Sequence, residues 1–270
     1  MYHTSRPTVI KIGGALLRDE ATLADFWPAL KQLASQGPVV LVHGGGPQST
    51  AMARRLGHEP TIVQGRRVTS DLDLSILHWT ICGELNTNLV ARAIRHGINA
   101  VGLTGIDGGT LQVHKRPPWE IEGEMIDFGW VGDVKQINPD LLNMLISNQL
   151  VPIVAPLGID ASDQTCPGQT YNVNADTVAH AIAVALHAGS LLLVTDSGGV
   201  RKEADNPDSR IAEMDKTLFD EGAHTGWIRD GMLVKLKMAF EARDAGISDV
   251  HILAPDDIYA KAKGTSIVKS

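Results

Sequence analysis

The chain has 270 residues, with 24 Lys and Arg against 31 Asp and Glu and a formal net charge of -7 at pH 7. Phosphate backbones demand clustered cationic side chains, so this acidic balance argues against a nucleic-acid partner and points to a small ligand. The two cysteines, Cys82 and Cys166, form no CxxC motif, no apolar stretch approaches the roughly 20 residues that cross a bilayer, and "MYHTSRPT" lacks the apolar core of a signal peptide. A cytoplasmic protein with no membrane partner is therefore expected.

In chain order, "TVIKIGG" reads as a short buried strand ending in glycines, and "ATLADFWPALKQLAS" carries apolar residues at helical spacing. "GPVVLVHGGG" is a second strand entering a second glycine turn, and "PQSTAMARRLG" continues as a helix, with Pro47 in its first turn and Gly57 at its end. The run from Asp71 to Gly97 reads as one long helix leading into the strand and glycine turn of "INAVGLTGIDGG". Between Thr110 and Val134 the pattern lapses into a polar, aromatic, Gly/Pro-punctuated stretch that predicts a hairpin or flap. "NPDLLNMLISNQ" is a helix capped by Asn138, "LVPIVAPLGID" a strand, and "YNVNADTVAHAIAVALHAG" a polar turn opening an alanine-rich helix. The strand "SLLLVTD" with its turn "SGGV", helices near Lys216 and Lys235 (the latter beginning after Asp230 and Gly231), and the strand "DVHILA" complete the series. Repeated strand, glycine turn and helix predict an α/β fold with a mainly parallel sheet covered by helices.

Three consecutive glycines at a strand's carboxyl end let backbone N–H groups converge on an anion at the following helix's positive end. A tight connection between strand and helix explains any one such turn equally well. However, turns at Gly13, Gly44, Gly105 and Gly198 all fall where strands end, which is where open α/β sheets bind ligands. Lys11 stands one residue before a double glycine, in place to meet a phosphate or to lie at a sheet edge. Lys235 and Lys237 share a helix, and the sequence favours neither. Asp176 serves either as a helix-start charge or as a holder of lysines. Ten histidines are scattered without HExxH or another compact ligand spacing, so no protein-bound metal is expected.

Taken in order, "KIGGALL", "LVHGGGP", "GRRVT", "VGLTGIDGG", "FGWVGDV", "YNVNADTVA", "VTDSGGV" and "DGMLVKLKMA" resemble the amino-acid kinase family from Val9 to the final "GTSIVKS". The resemblance implies a three-layer αβα sandwich around a mainly parallel central sheet. Residues 1–155 would form an amino-acid-binding lobe and residues 156–270 an ATP-binding lobe of a single fold. The implied reaction transfers the γ-phosphoryl of ATP to the side-chain carboxylate of N-acetyl-L-glutamate, the second step of arginine biosynthesis. Such a nucleophile is already ionised at pH 7, so the chemistry calls for lysines, backbone N–H groups and magnesium rather than a general base.

By the same resemblance, Lys11 and Lys235 would stabilise the transition state and Asp176 would orient both. Gly14, Gly45 and Gly46 would offer N–H groups, Arg67 and Asn172 would bind the substrate α-carboxylate, and the flap would cover the acyl group. Asp196, Ser197, Gly198, Gly199, Val200, Arg201, Trp227, Ile228 and Arg229 would lie on nucleotide-binding loops, with Mg2+ arriving on ATP. Two departures, Arg66 where the family usually has leucine and Ser70 where aspartate is common, bear on whether acetyl or succinyl is read. Adjacent side chains of an extended segment point to opposite faces, so Arg66 is expected to face solvent or a subunit partner. A bend turning both arginines inward would instead let Arg66 meet the extra carboxylate of a succinyl group. Only ten residues precede Lys11, too few for a ring-forming amino-terminal helix, and "DGM" resembles the arginine-insensitive branch; a homodimer insensitive to arginine is expected. The competing readings are a kinase of carrier-bound aminoadipate, which should show a basic face, and a non-catalytic sensor, which should lack one of Lys11, Asp176 or Lys235.

Overall fold

The computed structural model describes residues 5–160, 168–203 and 205–269, so Cys166 and most of the loop around it lie outside the described residues. Its centre is an eight-stranded sheet. The strands in chain order are β1 (Thr8–Ile12), β2 (Val39–His43), β3 (Ala100–Thr104), β4 (Val151–Ala155), β5 (Ser190–Val194), β6 (Glu213–Met214), β7 (Asp249–Leu253) and β8 (Thr265–Ile267). They lie side by side in the order β6-β8-β7-β5-β1-β2-β4-β3. The strands from β7 to β3 in that order run parallel, whereas β8 pairs antiparallel with β7 and carries β6 in its own direction.

Of the helices α1 (Phe26–Gln36), α2 (Gly46–Arg55), α3 (Asp71–Leu77), α4 (Asn86–Arg95), α5 (Asp140–Ser147), α6 (Ala175–Ala185), α7 (Lys216–Thr225) and α8 (Asp230–Asp244), α1, α4, α5, α6 and α8 pack directly on this sheet. Alternation along the strands sorts the core into two layers. Val9, Val40 and Val42 join side chains of α5, α6 and α8, while Ile10, Ile12 and Leu41 join those of α1 and α4. The result is the expected αβα sandwich, and both faces of β1 and β2 are apolar because helices bury both.

Register then places the ligand-facing edge. Ile12 pairs with His43 and with Val194, and Val194 pairs with Leu253, so the carboxyl ends of β1, β2, β5 and β7 are level. The glycine turns that follow β1, β2 and β5 therefore open onto one edge.

Between Thr110 and Val134 the flap resolves into nested hairpins. Leu111–Lys115 pairs with Gly132–Ile137, and inside them Trp119–Ile121 pairs with Glu124–Ile126. The outer pair joins a second, four-stranded sheet with Leu157–Ile159 and Thr170–Asn172.

Two boundaries differ from the sequence reading. The long helix from Asp71 is broken by a π-helical stretch, His78–Leu85, between α3 and α4. Such wide turns rarely declare themselves in residue pattern. Helix α8 starts at Asp230 itself rather than after Gly231.

Candidate active site

Period-two alternation turns Lys11 to the same sheet face as Val9, which is the face covered by α6 and α8. Helix α6 presents Asp176 there in its first turn, and α8 presents Lys235 beside Leu236 and Ala239. The three side chains meet. Lys11 Nζ stands 3.0 Å and Lys235 Nζ 2.8 Å from the same Asp176 Oδ1, all three being buried. Lys237 is exposed, as expected of the solvent-facing neighbour. The cap of α6 is Asn174, whose side chain accepts from the Asp176 and Thr177 backbone N–H groups. Asp176 is therefore not the capping side chain, and its carboxylate is left for the lysines.

One carboxylate cannot neutralise two buried ammonium groups, and the imbalance falls on Lys11. Burial, opposed by Asp176 and reinforced by Lys235, lowers its pKa from 10.5 to about 8. Burial alone would raise Asp176, but the two ammonium groups outweigh it and hold the carboxyl at about 2. The triad thus carries one net positive charge at neutral pH and sheds it from Lys11 as pH rises. If the protonated form is the working one, kcat/KM, which reports the free enzyme, falls as pH rises through about 8. A profile flat to pH 10 would show that the Lys11 charge is not used.

The glycine turns close over this triad. A Cβ on Gly14 would stand 2.9 Å from the Gly45 nitrogen and 3.0 Å from its Cα, so the two turns touch only because both lack side chains. A Cβ on Gly45 would meet Ile81 at 2.7 Å, where the π-helical turn lays Ile81 and Leu85 against the glycines. His43 anchors the second turn from the opposite sheet face. Its Nδ1–H donates to the Gly44 carbonyl, and its Nε2 accepts from Asn86 Nδ2, which also donates to the Ile153 carbonyl. Burial pushes this imidazole down to about 4, so it is neutral and structural.

Beyond the turns lies a pocket of about 360 Å³ whose lining includes Lys11, Gly14, Gly45, Gly46, Arg67, Asn172 and Asp176. The fork of Arg67 is held by Asp73, which accepts from Nη1 at 3.0 Å, and by Thr50 and Ser49, which accept from Nη2 at 2.7 and 3.2 Å. Nε–H and one Nη1 proton remain for a ligand. Asp73 is fixed in turn by Ser70, which donates its hydroxyl at 2.6 Å and forms a capping box at the start of α3. Asn172 donates from Nδ2 to Thr69 Oγ1 and keeps its side-chain carbonyl and one N–H unused by that bond.

Gly46 also lines the pocket, with nothing within 4 Å of the place its Cβ would take. A methyl there occupies the pocket's own space, and alanine suits a helix by about 1 kcal/mol more than glycine. Gly46→Ala is therefore expected to melt at or above the parent temperature while KM for the amino acid rises. Lower stability with unchanged KM would contradict this placement.

One expectation fails. Arg66 faces the pocket rather than solvent, beside Arg67. Ile62–Val63 and Arg66–Arg67 form a hairpin closed by Gln64 and Gly65, whose φ values of 47° and 73° make a type I′ turn. Two-residue strands on so tight a turn do not sustain strict alternation. Arg116, not singled out in the sequence, lines the same pocket, as do Ser49 and Thr50. Ser49 and Thr50 follow Pro47 on one helical turn and carried no signal beyond polarity; Arg116 lay in the irregular flap.

The loop residues expected to hold a nucleotide are not in this lining. Asp196 to Arg201 follow β5 at the same sheet edge, with Gly198 and Gly199 at positive φ and the Val200 N–H donating to Thr265 Oγ1. Trp227 to Arg229 precede α8. The side chains of Val200 and Ile228 are in the core, so only their backbones are available to a ligand. Among the described residues no group of three or more His, Cys, Asp or Glu is arranged to hold a metal ion, and no helix is long and apolar enough to cross a membrane.

A paired lysine–aspartate–lysine cluster and two glycine turns, at the carboxyl edge of a parallel sheet, make a site for drawing two anions together. The chain belongs to the amino acid kinase family, whose model matches residues 6–254. It is 40% identical over 247 residues to an acetylglutamate kinase of Methanopyrus kandleri, covering 90% of this chain and 93% of that one. A second acetylglutamate kinase, from Anaeromyxobacter dehalogenans, is 38% identical over 267 residues, covering 93% and 94%. Among solved structures, smu.665 of Streptococcus mutans superposes with a TM-score of 0.81 at 27% identity, covering 97% of this chain and 98% of that one.

Proposed function

We propose that this chain is an ATP-dependent kinase of the side-chain carboxylate of N-acetyl-L-glutamate or of its N-succinyl counterpart, and so serves arginine biosynthesis; its relatives are named acetylglutamate kinases. The observation that carries this reading is the convergence of Lys11, Lys235 and Asp176 beneath Gly14 and Gly45.

The chemistry follows from the charges. An oxygen of the side-chain carboxylate forms a bond to the γ-phosphorus while the bond from that phosphorus to the β,γ-bridging oxygen breaks, and ADP departs with the electron pair. No proton is moved, which agrees with a neutral His43 turned away from the pocket and, among the described residues lining it, with Asp176 as a carboxylate already engaged by two lysines. The protein must offset repulsion between two anions and the charge gathered on the transferring group. Lys11 reaches that group from the β1 side, Lys235 from α8, and Asp176 keeps the two ammonium groups from repelling each other out of place. The N–H groups of Gly14, Gly45 and Gly46 complete the cradle at the positive end of α2.

Arg67 and Asn172 hold the α-carboxylate in this reading, and the flap roofs the acyl group. ATP lies along Asp196 to Arg201 and Trp227 to Arg229, contacting Val200 and Ile228 through backbone. Asp176, the carboxylate in the pocket lining, is already held by two lysines. Magnesium would therefore come with the nucleotide and would supply charge neutralisation at the phosphates, with no carboxylate of this pocket needed to hold it. Residues 1–155 act as the amino-acid lobe and 156–270 as the nucleotide lobe, working as a homodimer in the cytoplasm. The test is hydroxylamine trapping of the acyl phosphate with ATP and N-acetylglutamate, N-succinylglutamate, glutamate, aspartate or N-acetylaminoadipate. Hydroxamate from an N-acylglutamate supports the reading; hydroxamate from free glutamate or aspartate alone overturns it.

A further inference from the structure

At the flap side of the pocket two guanidinium groups share one aromatic ring. Arg66 Cζ lies 4.9 Å and Arg116 Cζ 4.6 Å from the centre of the Trp119 ring, in the inner hairpin. Arg116 is buried and spends Nε and Nη2 on Asp133 Oδ1, at 3.0 and 2.6 Å. Arg66 is half-buried and, among the described residues, has neither an ion pair nor a hydrogen bond. Burial first and then the like charge of Arg116 disfavour its cation, and Asp133, already bonded to Arg116, opposes them only in part. Two cations and one carboxylate therefore meet around Trp119, and the excess positive charge faces the cavity.

A half-buried cation that has only a ring face and a share of the Asp133 charge is poorly compensated, and nothing about an acetyl methyl group would improve it. A carboxylate would. The pocket already has the remaining donors of Arg67 and Asn172 for one carboxylate and the lysine pair for the reacting one, so Arg66 is a third anion contact. We infer that this chain prefers an N-acylglutamate whose acyl group ends in its own carboxylate, of succinyl size, held by Arg66 with Arg116 alongside. The inference rests on the N-acylglutamate kinase reading above.

The experiment measures kcat/KM for N-succinyl-L-glutamate and N-acetyl-L-glutamate in the parent enzyme, Arg66→Leu and Arg66→Lys, with melting temperature alongside. A site built to bind a charged substrate group rejects the analogue lacking it, so the parent should favour the succinyl substrate by on the order of 100-fold or more. Arg66→Leu should reverse that order, losing succinylglutamate activity and gaining on acetylglutamate. Arg66→Lys should recover part of the succinyl preference. A parent enzyme that phosphorylates acetylglutamate but not succinylglutamate overturns the inference and leaves the kinase reading standing. Equal losses on both substrates in Arg66→Leu overturn it too, by assigning Arg66 to the shared α-carboxylate. No phosphorylation of either substrate overturns both.

Discussion

Lys235→Ala is expected to lower turnover by on the order of 100-fold to 1000-fold, the usual effect of removing one preorganised contact to developing charge. Folding should survive, because Asp176 keeps Lys11 as a partner at 3.0 Å. The change also removes the like charge that helps to lower the Lys11 pKa, so the alkaline limb of the residual activity should move upward from about 8. Lys237→Ala, altering an exposed side chain two residues on, should leave turnover close to the parent value. Near-parent turnover in Lys235→Ala would remove this residue from the chemistry.

Asp176→Asn is expected to damage both activity and stability. It leaves two buried ammonium groups without a counter-charge, and breaking a buried pair from one side costs about 3–5 kcal/mol. Activity should fall further than that loss of folded protein explains, since the lysines would repel each other from the reacting group. The sign of the pH dependence identifies the cause. In the parent, the folded pKa of Asp176 is depressed from 3.8 to about 2, so its contribution is present above 3.8 and lost as pH falls through about 2. In the variant the unpaired lysines give up protons more readily when folded than when unfolded. The unfolded chain then binds more protons, and stability rises with pH up to the ordinary lysine value of 10.5. Denaturant midpoints at pH 7 and 9.5 measure this, and a difference between variant and parent that does not narrow at pH 9.5 would point to lost packing instead.

Most of the layer architecture was legible because its signals are local. Apolar runs such as "VVLVH" closed by glycines mark parallel strands, and the Pro47 and Gly57 that bound α2 are ordinary helix punctuation. The site was legible only in part. Lys11 announced itself as a cation in an apolar strand, yet its meeting with Asp176 and Lys235 depends on strand pairing and on helix crossings that bring together residues 59 or more positions apart. Composition does not encode such meetings; the ordered set of motifs did. Arg66 was misplaced because the alternation rule was applied to a strand of two residues. A type I′ turn at Gln64 and Gly65 decides the direction there, and Gln-Gly is a weaker signal for it than Asn-Gly. Arg116 and the π-helical turn had no local signal at all, since one sits in an irregular flap and the other inside a run that suits an ordinary helix.

In the reaction proposed for this chain, a side-chain carboxylate oxygen of an N-acylglutamate attacks the γ-phosphorus of ATP. The most direct measurement uses an N-acyl-L-glutamate carrying 18O in both side-chain carboxylate oxygens, with ATP and hydroxylamine present. Hydroxylamine attacks the acyl carbon and expels phosphate, which keeps the oxygen that made the new bond to phosphorus. One 18O is expected in each phosphate released, in an amount equal to the hydroxamate formed. Phosphate without the label would mean that water had attacked ATP instead, and would contradict this reaction.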